Sequence, residues 1–460
     1  MYFNISISFH FAKKMFLVYD VFDMKPRLIE LKIEKTTESG EGLGYFEGMP
    51  ILVFGVLVGE LILAELFKKK AGVGKARILQ ILEPSQERIA PRDDHFESCG
   101  PWQMMPIGRQ RELKKKLIQE YFQREIGFEW GGELILEVSD PDWGYRNKME
   151  FSFAVDADNQ LALALHKRGG HCGYYSLDHC ALANDRINKA GQSIVAWLRL
   201  YNLTFRELKS LILRYSYHED RVLADLFIKE KAVDLDLSVF KENIIAGMRI
   251  IYSDRRSPAS VTTEVLNGFG AVYLTEKIGG LSFRFGPESF FQSNPPAFEK
   301  LIDYLRQNID DDERLIDLYA GVGVIGFCLA DRFKSVVSLE FNQEASAFAR
   351  ENVDLNDLKN VEIICGEAEK ADLEKIIQAG DVLLVDPPRS GLHPKALKKI
   401  LAAAPKTFVY VSCNPYTQAR DLSVLREKYA VKSWRLFDFY PQTPHCESVM
   451  ILSKIVSNMS

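Results

Sequence analysis

The feature that most constrains the fold is an alternation of short apolar runs and helical patterns after Gly280. Each run has the length of a strand, and most are followed by a segment with helical spacing such as QEASAFARENVDLN. The five runs lie within RLIDLYAGVGVIGFCLA, VVSLEFN, VEIICGEA, DVLLVDPPRSG and TFVYVSCNP. This alternation builds a doubly wound parallel sheet, whose ligands bind outside the carboxyl ends of the strands. The residues directly after each run are therefore the candidates for chemistry.

The first two strand ends predict a nucleotide-like ligand. Tyr319, Gly321 and Gly323 follow the first run, and the glycines let the backbone approach a ligand closely. Many nucleotide-binding folds share such glycines, so they are a weak signal alone. Glu340 ends the second run, where its carboxylate can accept hydrogen bonds from both ribose hydroxyls. An exposed acid at a helix start is the alternative explanation.

The later strand ends separate a methyltransferase from a dehydrogenase. Asp386 closes the fourth run and is followed by two prolines, which fix the backbone beside a substrate. Cys413 closes the fifth run, and Glu447 lies in the later segment FDFYPQTPHCESV. A thiol can add to carbon 6 of a pyrimidine, which activates carbon 5 for methylation, and a carboxylate can then remove the carbon 5 proton. A core thiol and a loop acid are the alternatives for these two residues.

The chain before Gly280 predicts two further domains. From Lys25 to Pro84, short apolar runs cut by glycines indicate a small five-strand barrel of the OB type. Its last hairpin has a basic edge, which either binds RNA or is a solvated surface. The basic residues of that edge are Lys68, Lys69, Lys70, Lys75 and Arg77. Strands and amphipathic helices mix between about Ile89 and Gly280, as in an α+β domain.

Composition bounds the class of protein. The 460 residues are 47% hydrophobic and 26% charged, which predicts two or three domains with large cores. The net charge of -5 argues against general coating of nucleic acid. Seven scattered cysteines fit a reducing cytoplasm, and no run is long or apolar enough to span a membrane. The first 23 residues lack the pattern of a signal peptide and are either an extra strand or an extension before a start at Met24.

Six motifs, all in order, resemble the S-adenosylmethionine-dependent RNA 5-methyluridine methyltransferases, which modify transfer RNA or large-subunit ribosomal RNA. They cover nearly all of residues 281–455: SFFQSNP, DLYAGVGVIG, SLEFN, DPPRSGL, VYVSCNPYTQARD and PQTPHCESV. Residues 24–91 are similar to the TRAM domain that many members carry. The resemblance implies a TRAM (OB-like) barrel at 24–84, a central α+β domain at 85–280 and a Rossmann-like methyltransferase domain at 281–460.

The resemblance also implies the roles of individual residues. Cys413 is then the nucleophile and Glu447 the base, while four residues hold the methyl donor S-adenosylmethionine: Gln292, Tyr319, Glu340 and Asp386. The target uridine is expected to flip out of an RNA loop into the cleft. Large-subunit ribosomal RNA is the favoured partner and transfer RNA the second, and a monomer is expected. A non-catalytic RNA-binding paralogue, or a methyltransferase for another base atom, would not need Cys413 and Glu447.

The stretch DDHFESCGPWQ departs from the family pattern, as do Ala320 and Val324 within DLYAGVGV. Members with an iron-sulfur cluster have four cysteines around a His-Phe pair, and Cys99 and Cys180 match two of them. Asp93 and Trp102 stand where the other two ligands would be. Because such a cluster requires four thiolates, the sequence predicts no iron-sulfur cluster and no metal ligand.

Overall fold

The computed structural model describes residues 27–455, apart from 169–172, 232–234, 241–243 and 258–259. The question about residues 1–23 therefore lies outside the described residues. The chain divides into two compact units, one formed by residues 1–106 and 167–173 and the other by residues 107–166 and 174–460. We refer to them as unit 1 and unit 2. Within the described part, no helix has both the length and the apolar character needed to cross a membrane.

Unit 1 is built around a six-stranded sheet with the order β1-β5-β6-β4-β3-β2. Its elements are β1 (Arg27–Lys32), β2 (Lys35–Thr36), β3 (Gly42–Phe46), β4 (Met49–Val53), β5 (Leu61–Lys70), β6 (Val73–Glu83) and a one-turn helix α1 (Phe96–Cys99). Alternate residues of β1 and β5 are buried, as expected for strands with one face on a core. That core is apolar and includes Ile29, Leu31, Ile51, Val53 and Ile62.

Unit 2 begins with a long helix and a seven-stranded sheet of order β10-β9-β8-β11-β12-β13-β14. These elements are α2 (Ile107–Ile126), β7 (Ile135–Glu137), β8 (Lys148–Val155), β9 (Leu161–His166), β10 (Tyr174–Leu177), α3 (Asp185–Leu200), β11 (Leu208–Ser216), β12 (Arg221–Ile228), β13 (Ile245–Tyr252) and β14 (Glu264–Gly270). Its strand pairs are antiparallel except β12 with β13. A two-stranded hairpin follows, formed by β15 (Leu274–Ile278) and β16 (Leu281–Phe285).

The rest of unit 2 is an eight-stranded sheet of order β19-β18-β17-β20-β21-β23-β22-β7. Its elements are α4 (Pro295–Asn308), β17 (Asp312–Leu318), α5 (Val324–Cys328), β18 (Phe333–Glu340), α6 (Gln343–Leu355), β19 (Val361–Cys365), α7 (Leu373–Ile376), β20 (Val382–Val385), α8 (Pro394–Ala403), β21 (Thr407–Ser412), α9 (Pro415–Leu425), β22 (Tyr429–Phe437) and β23 (Glu447–Lys454). Strands β17 to β21 are parallel, as the sequence predicted. The mixed α/β fold is therefore confirmed at this level.

Both faces of the parallel strands are buried. Leu383 and Val385 of β20 contact one apolar core, while Val382 and Leu384 contact the other. Successive side chains of a strand point to opposite faces, so a strand with a core on each side reads as a continuous apolar run. Burial on both faces therefore accounts for the continuous apolar runs of these strands in the sequence.

A buried ion pair joins α2 to the segment that precedes β23. Lys114 Nζ donates to Asp438 Oδ1 at 2.6 Å and to the carbonyl of Tyr440 at 3.0 Å. Arg111 Nε donates to the other carboxylate oxygen, Asp438 Oδ2, at 3.0 Å. The side chains of Lys114 and Asp438 are both 0% exposed. Removing one partner of such a pair leaves a buried charge uncompensated, which typically costs about 3–5 kcal/mol.

We expect Lys114→Met to lower the free energy of unfolding by roughly 3 kcal/mol or more, because Asp438 would lose a buried cation. Lys116 provides a matched control, since it lies on the same helix with a 66% exposed side chain. Lys116→Met should change stability by no more than about 0.5 kcal/mol. Urea denaturation of the two variants measures both values, and equal losses would contradict a structural role for the buried pair.

Candidate active site

All six residues predicted for catalysis and donor binding line one cavity of about 740 Å³ in unit 2. They are Gln292, Tyr319, Glu340, Asp386, Cys413 and Glu447. Strands β17, β18, β20 and β21 are parallel and end at the same edge of the sheet, so the residues after them converge. The cavity is large enough for a nucleoside-sized ligand together with a second group.

The turn after β17 shapes one wall of the cavity. Tyr319 has a φ of 64°, which is uncommon for a residue with a side chain, and Gly321 and Gly323 have φ of 58° and 92°. The N–H groups of Tyr319 and Ala320 donate to the carbonyl of Leu339 at 3.0 and 3.2 Å. These two bonds fasten the turn to the end of β18 and hold the strained backbone in place.

Glu340 fixes the loops on both sides of its own strand end. Its Oε2 accepts the N–H of Gly321 at 2.9 Å, and its Oε1 accepts the N–H of Asn342 at 2.7 Å. Each carboxylate oxygen has a further lone pair. The side chain is therefore held by the backbone and can still accept hydrogen bonds from a ligand.

The loop that carries Gln292 is held by two residues that the sequence did not single out. Asn147 donates from Nδ2 to the carbonyl of Gln292 at 3.0 Å and from its N–H to the carbonyl of Ser293 at 3.1 Å. Arg214, which is 4% exposed, donates to the carbonyls of Ser289 and Pro287 at 2.6 and 3.1 Å. Since both bind main-chain carbonyls, no local motif reveals them.

Gln292 itself has a buried side-chain oxygen, Oε1, with no hydrogen-bond partner within the described part of the chain. A buried polar atom without a partner costs about 1–3 kcal/mol. Because Gln292 lines the cavity, a ligand that donates a hydrogen bond would remove this cost.

The strand register brings Cys413 and Glu447 together. β23 is antiparallel to β21, and Ser412 pairs with Ser448. Cys413 directly follows Ser412 and Glu447 directly precedes Ser448, so the register brings both residues to the same edge of the sheet, where both line the cavity. The Oγ of Ser448 donates to Gln418 at 2.6 Å and accepts from Trp434 at 3.0 Å, which locks the register.

The turn after Asp386 is tied to the turn after Cys413. Asn414 Nδ2 and Thr417 Oγ1 both donate to the carbonyl of Arg389, at 2.9 and 3.2 Å. Asn414 also caps α9 by accepting the N–H of Tyr416, and Pro415 is the first residue of that helix. The Asn-Pro pair that follows the thiol therefore serves as a helix start that holds Cys413 against the Asp-Pro-Pro-Arg turn.

Burial controls the protonation of the cavity. Burial raises the pKa of Asp317 to about 8, with the neighbouring Asp386 as the next cause. Asp386 is partly exposed to the cavity, yet burial raises its pKa to about 7. Burial and the charge of Asp386 raise the pKa of Glu447 well above its ordinary value. Neither oxygen of Glu447 has a hydrogen-bond partner among the residues that the structure describes.

The thiol is protonated in the same environment. Burial, Glu447 and Asp386 raise the pKa of Cys413 to about 12. Arg389 acts in the opposite direction, because its positive charge lowers the pKa of both Cys413 and Glu447. Burial raises the pKa of Tyr440, and so do Glu447, Cys413 and Asp386, which keeps the phenol neutral. The motif DPPRSGL contains Arg389, and Tyr440 directly precedes PQTPHCESV, but spacing alone did not indicate that either acts on the thiol.

Two aromatic side chains stand at the cavity wall with large exposed areas. Phe290 and Phe341 are each 64% exposed, and both line the cavity. Phe290 lies two residues before Gln292, and Phe341 directly follows Glu340. This closeness in sequence to predicted donor-binding residues is the signal that could have indicated them.

These features define a cavity at the carboxyl ends of a parallel sheet, lined by a thiol and by carboxyl groups. The profile of the tRNA (uracil-5-)-methyltransferase family matches residues 109–455. The chain is 32% identical over 451 residues to an uncharacterized RNA methyltransferase of Caldanaerobacter subterraneus subsp. tengcongensis, covering 94% of this chain and 99% of the relative. It is 29% identical over 454 residues to another from Enterococcus faecalis, with 94% and 98% covered.

One solved structure shares the fold over nearly the whole chain. It is the tRNA (uracil-54, C5)-methyltransferase of Pyrococcus abyssi in complex with S-adenosyl-L-homocysteine, with a TM-score of 0.72 and 23% identity. The match covers 92% of this chain and 100% of that one. The chain therefore belongs to the tRNA (uracil-5-)-methyltransferase family and is an S-adenosylmethionine-dependent RNA methyltransferase. The resemblance inferred from the sequence motifs is confirmed.

The raised pKa of Glu447 predicts a pH-dependent gain in stability for Glu447→Gln. An acid whose pKa is higher in the folded than in the unfolded protein binds more protons when folded, so stability falls as pH rises from the unfolded toward the folded pKa. Glutamine does not ionise and escapes this loss. We expect the variant to gain stability relative to wild type on going from pH 5 to pH 8. Denaturation curves at the two pH values measure the gain.

The exposed Glu427 supplies the control, because Glu427→Gln should show no such pH-dependent difference. A Glu447→Gln difference that is the same at both pH values would mean that Glu447 already ionises freely in the folded enzyme.

Proposed function

We propose that the chain transfers a methyl group from S-adenosylmethionine to carbon 5 of a uridine in RNA through a covalent adduct of Cys413. The observation that carries this proposal is the register of β21 and β23, which sets a thiol opposite a carboxylate in one cavity. A methyltransferase acting on an exocyclic amine would need no such pair.

The donor end of the cavity fits S-adenosylmethionine, which supplies a methyl group on a positively charged sulfur. Glu340 has lone pairs for the two ribose hydroxyls, and Gln292 has an unsatisfied oxygen for a donor group. Asp386 supplies a carboxyl near the thiol, and Tyr319 and Phe341 add apolar wall. The donor therefore meets polar groups for its sugar and amino acid and rings for its base.

The residues at the thiol end fit the remaining steps. The thiol of Cys413 first loses its proton to solvent, and its sulfur then forms a bond to carbon 6 of the uracil while the displaced electron pair moves through carbon 5 toward the carbonyl at carbon 4. Carbon 5 takes the methyl group as the methyl–sulfur bond of the donor breaks, and that bonding pair stays on the donor's sulfur. Glu447, as its carboxylate, accepts the carbon 5 proton, the double bond between carbons 5 and 6 re-forms, and the sulfur leaves carbon 6 as a thiolate. Arg389 favours the thiolate, and the neutral phenol of Tyr440 is suited to donate a hydrogen bond to a uracil carbonyl.

The layout proposed with this function has an OB-like TRAM barrel at 24–84, a central α+β domain at 85–280 and a Rossmann-like domain at 281–460. The end of β5 supports an RNA-binding role for the barrel, because Lys68, Lys69 and Lys70 are all exposed there. Lys75 and Arg77 are less available, since they pair with Glu41 and Glu65. Large-subunit ribosomal RNA, transfer RNA and the monomeric state stay predictions.

Glu340→Gln should weaken S-adenosylmethionine binding by roughly tenfold to a hundredfold, since losing a hydrogen bond to a charged group costs about 1.5–3 kcal/mol. The NH₂ group of the new glutamine would also face one of the two backbone N–H groups whose hydrogen bonds Glu340 accepts. Calorimetry measures donor affinity, and RNA affinity should stay unchanged. Glu362→Gln on the neighbouring strand β19 is the control, because Glu362 is exposed. Unchanged donor binding by a folded Glu340→Gln variant would assign the ribose contact to another residue.

Substitutions of Cys413 and Glu447 should block the reaction at different steps. Cys413→Ala should bind the donor but form neither methylated RNA nor a covalent complex. Glu447→Gln should accumulate a methylated protein–RNA species that survives denaturing electrophoresis, because nothing removes the carbon 5 proton. Wild-type enzyme should form a similar species on RNA containing 5-fluorouridine, since fluorine cannot leave as a cation. The exposed Cys365 provides the thiol control, and Cys365→Ala should behave as wild type.

The same assay identifies the substrate when it is run on transfer RNA and on fragments of large-subunit ribosomal RNA. An adduct formed by Cys413→Ala, or normal turnover by Glu447→Gln, would refute the roles proposed for these residues. Donor binding without methylation of any RNA would instead favour the non-catalytic paralogue.

A further inference from the structure

The iron-sulfur site of the resembling proteins does not fit this chain. Trp102 occupies one ligand position, is 1% exposed and donates its indole N–H to the carbonyl of Gly40 at 3.3 Å. Indole has no lone pair to give a metal. Asp93 occupies another ligand position, and its carboxylate is not one of the thiolates that such a cluster uses. The described part of unit 1 therefore places a thiolate at only one of the ligand positions that it contributes, whereas such a cluster requires four.

Three metal-ligating side chains of unit 1 nevertheless converge at α1. The ligand atoms of Asp93, His95 and Cys99 lie within 4.8 Å of one another. Cys99 Sγ is 3.5 Å from Asp93 Oδ2, and His95 Nε2 is 4.0 Å from the same oxygen. All three residues are at most 6% exposed. The turn that begins at Asp93 and continues into α1 brings them together, because the N–H of Cys99 reaches the carbonyl of His95 at 3.4 Å.

His95 supplies an independent sign of a missing ligand. Its Nε2 is buried and has no hydrogen-bond partner in the regions that the structure describes, and its side chain is only 7% exposed. A buried nitrogen in this condition costs about 1–3 kcal/mol. A metal ion bound to Nε2 would remove that cost, whereas the contacts between Asp93 and Cys99 leave it in place.

Gln103 forms hydrogen bonds to two members of the cluster, as outer neighbours of metal ligands commonly do. Its Nε2 donates to Asp93 Oδ2 at 2.7 Å and to Cys99 Sγ at 3.5 Å. Its Oε1 accepts the N–H groups of Arg92 and Asp93 at 3.0 and 3.1 Å, which fixes the amide orientation. Such partners orient the ligands and raise metal affinity.

We propose that Asp93, His95 and Cys99 bind one Zn²⁺ ion that stabilises unit 1. Zinc takes mixed carboxylate, imidazole and thiolate ligands, with bonds of about 2.0–2.3 Å that separate the ligand atoms by about 3.3–3.7 Å. The separations of Asp93 from Cys99 and from His95, 3.5 and 4.0 Å, are close to these values. On binding, the thiol of Cys99 loses its proton to solvent and forms a zinc–sulfur bond, with no change of oxidation state. The proposal revises the sequence-based expectation of no metal ligand, retains the expectation of no iron-sulfur cluster and is independent of the methyltransferase proposal.

Metal analysis of the full-length protein, purified without oxygen and dialysed against a weak chelator, tests the proposal. Wild type should contain about one zinc per chain and no stoichiometric iron. His95→Gln and Cys99→Ser should each lose most of the zinc, while Cys365→Ser should retain it. Zinc retained by both ligand variants would overturn the assignment, and so would about four irons per chain in wild type.

Cobalt gives a second readout that does not depend on the variants folding. Wild-type protein stripped of metal and loaded with Co²⁺ alone should show a thiolate-to-cobalt absorption band and the strong visible bands of a four-coordinate ion. Adding Zn²⁺ should abolish both and should raise the melting temperature in a concentration-dependent way. Wild type that holds less than about 0.1 zinc per chain and shows no thiolate band with Co²⁺ would overturn the proposal.

Discussion

Burial of ionisable groups in and beside one cavity is the constraint on which unit 2 depends. Asp317, Asp386 and Glu447 all have raised pKa values because water does not solvate them fully. Groups of this kind persist only where the surrounding structure is rigid enough to hold them. That rigidity comes from the locked register of β21 and β23 and from the buried pair of Lys114 with Asp438. Burying these groups lowers the stability of the fold locally, and the two apolar cores of the sheet offset that loss.

The sequence predicted the parallel strands and the residues at their ends because both leave local signals. A strand buried on both faces is a continuous apolar run, and Asp386 and Cys413 each follow one directly. The antiparallel β23 was not predicted, although it places Glu447 opposite Cys413. Asn147 and Arg214 were not predicted either, since they bind main-chain carbonyls of the Gln292 loop from distant positions, just before β8 and within β11. Pairing between distant segments is a property of the fold and has no local pattern.

Glu340 shows how a predicted ligand residue can have a structural role that the sequence conceals. The position of Glu340 at the end of β18 predicted a ribose contact. The structure adds that the same carboxylate accepts two backbone hydrogen bonds. Truncation to alanine would release both loops and confound donor binding with folding. This is why glutamine, which keeps the size of the side chain, is the informative substitution.

The thiols of this chain differ because their surroundings differ. Cys413 lies in a cavity where acids and burial keep it protonated, with Arg389 as the cation that favours its reactive form. Cys446, one residue before Glu447, is fully buried, and burial raises its pKa to about 12. Cys99 lies instead within reach of an imidazole and a carboxylate, which are ligands that a thiolate commonly shares on a metal. A cysteine's chemistry follows from which donors, acids and cations lie around it, and on these surroundings rest the roles proposed for Cys413 in covalent catalysis and for Cys99 in metal binding.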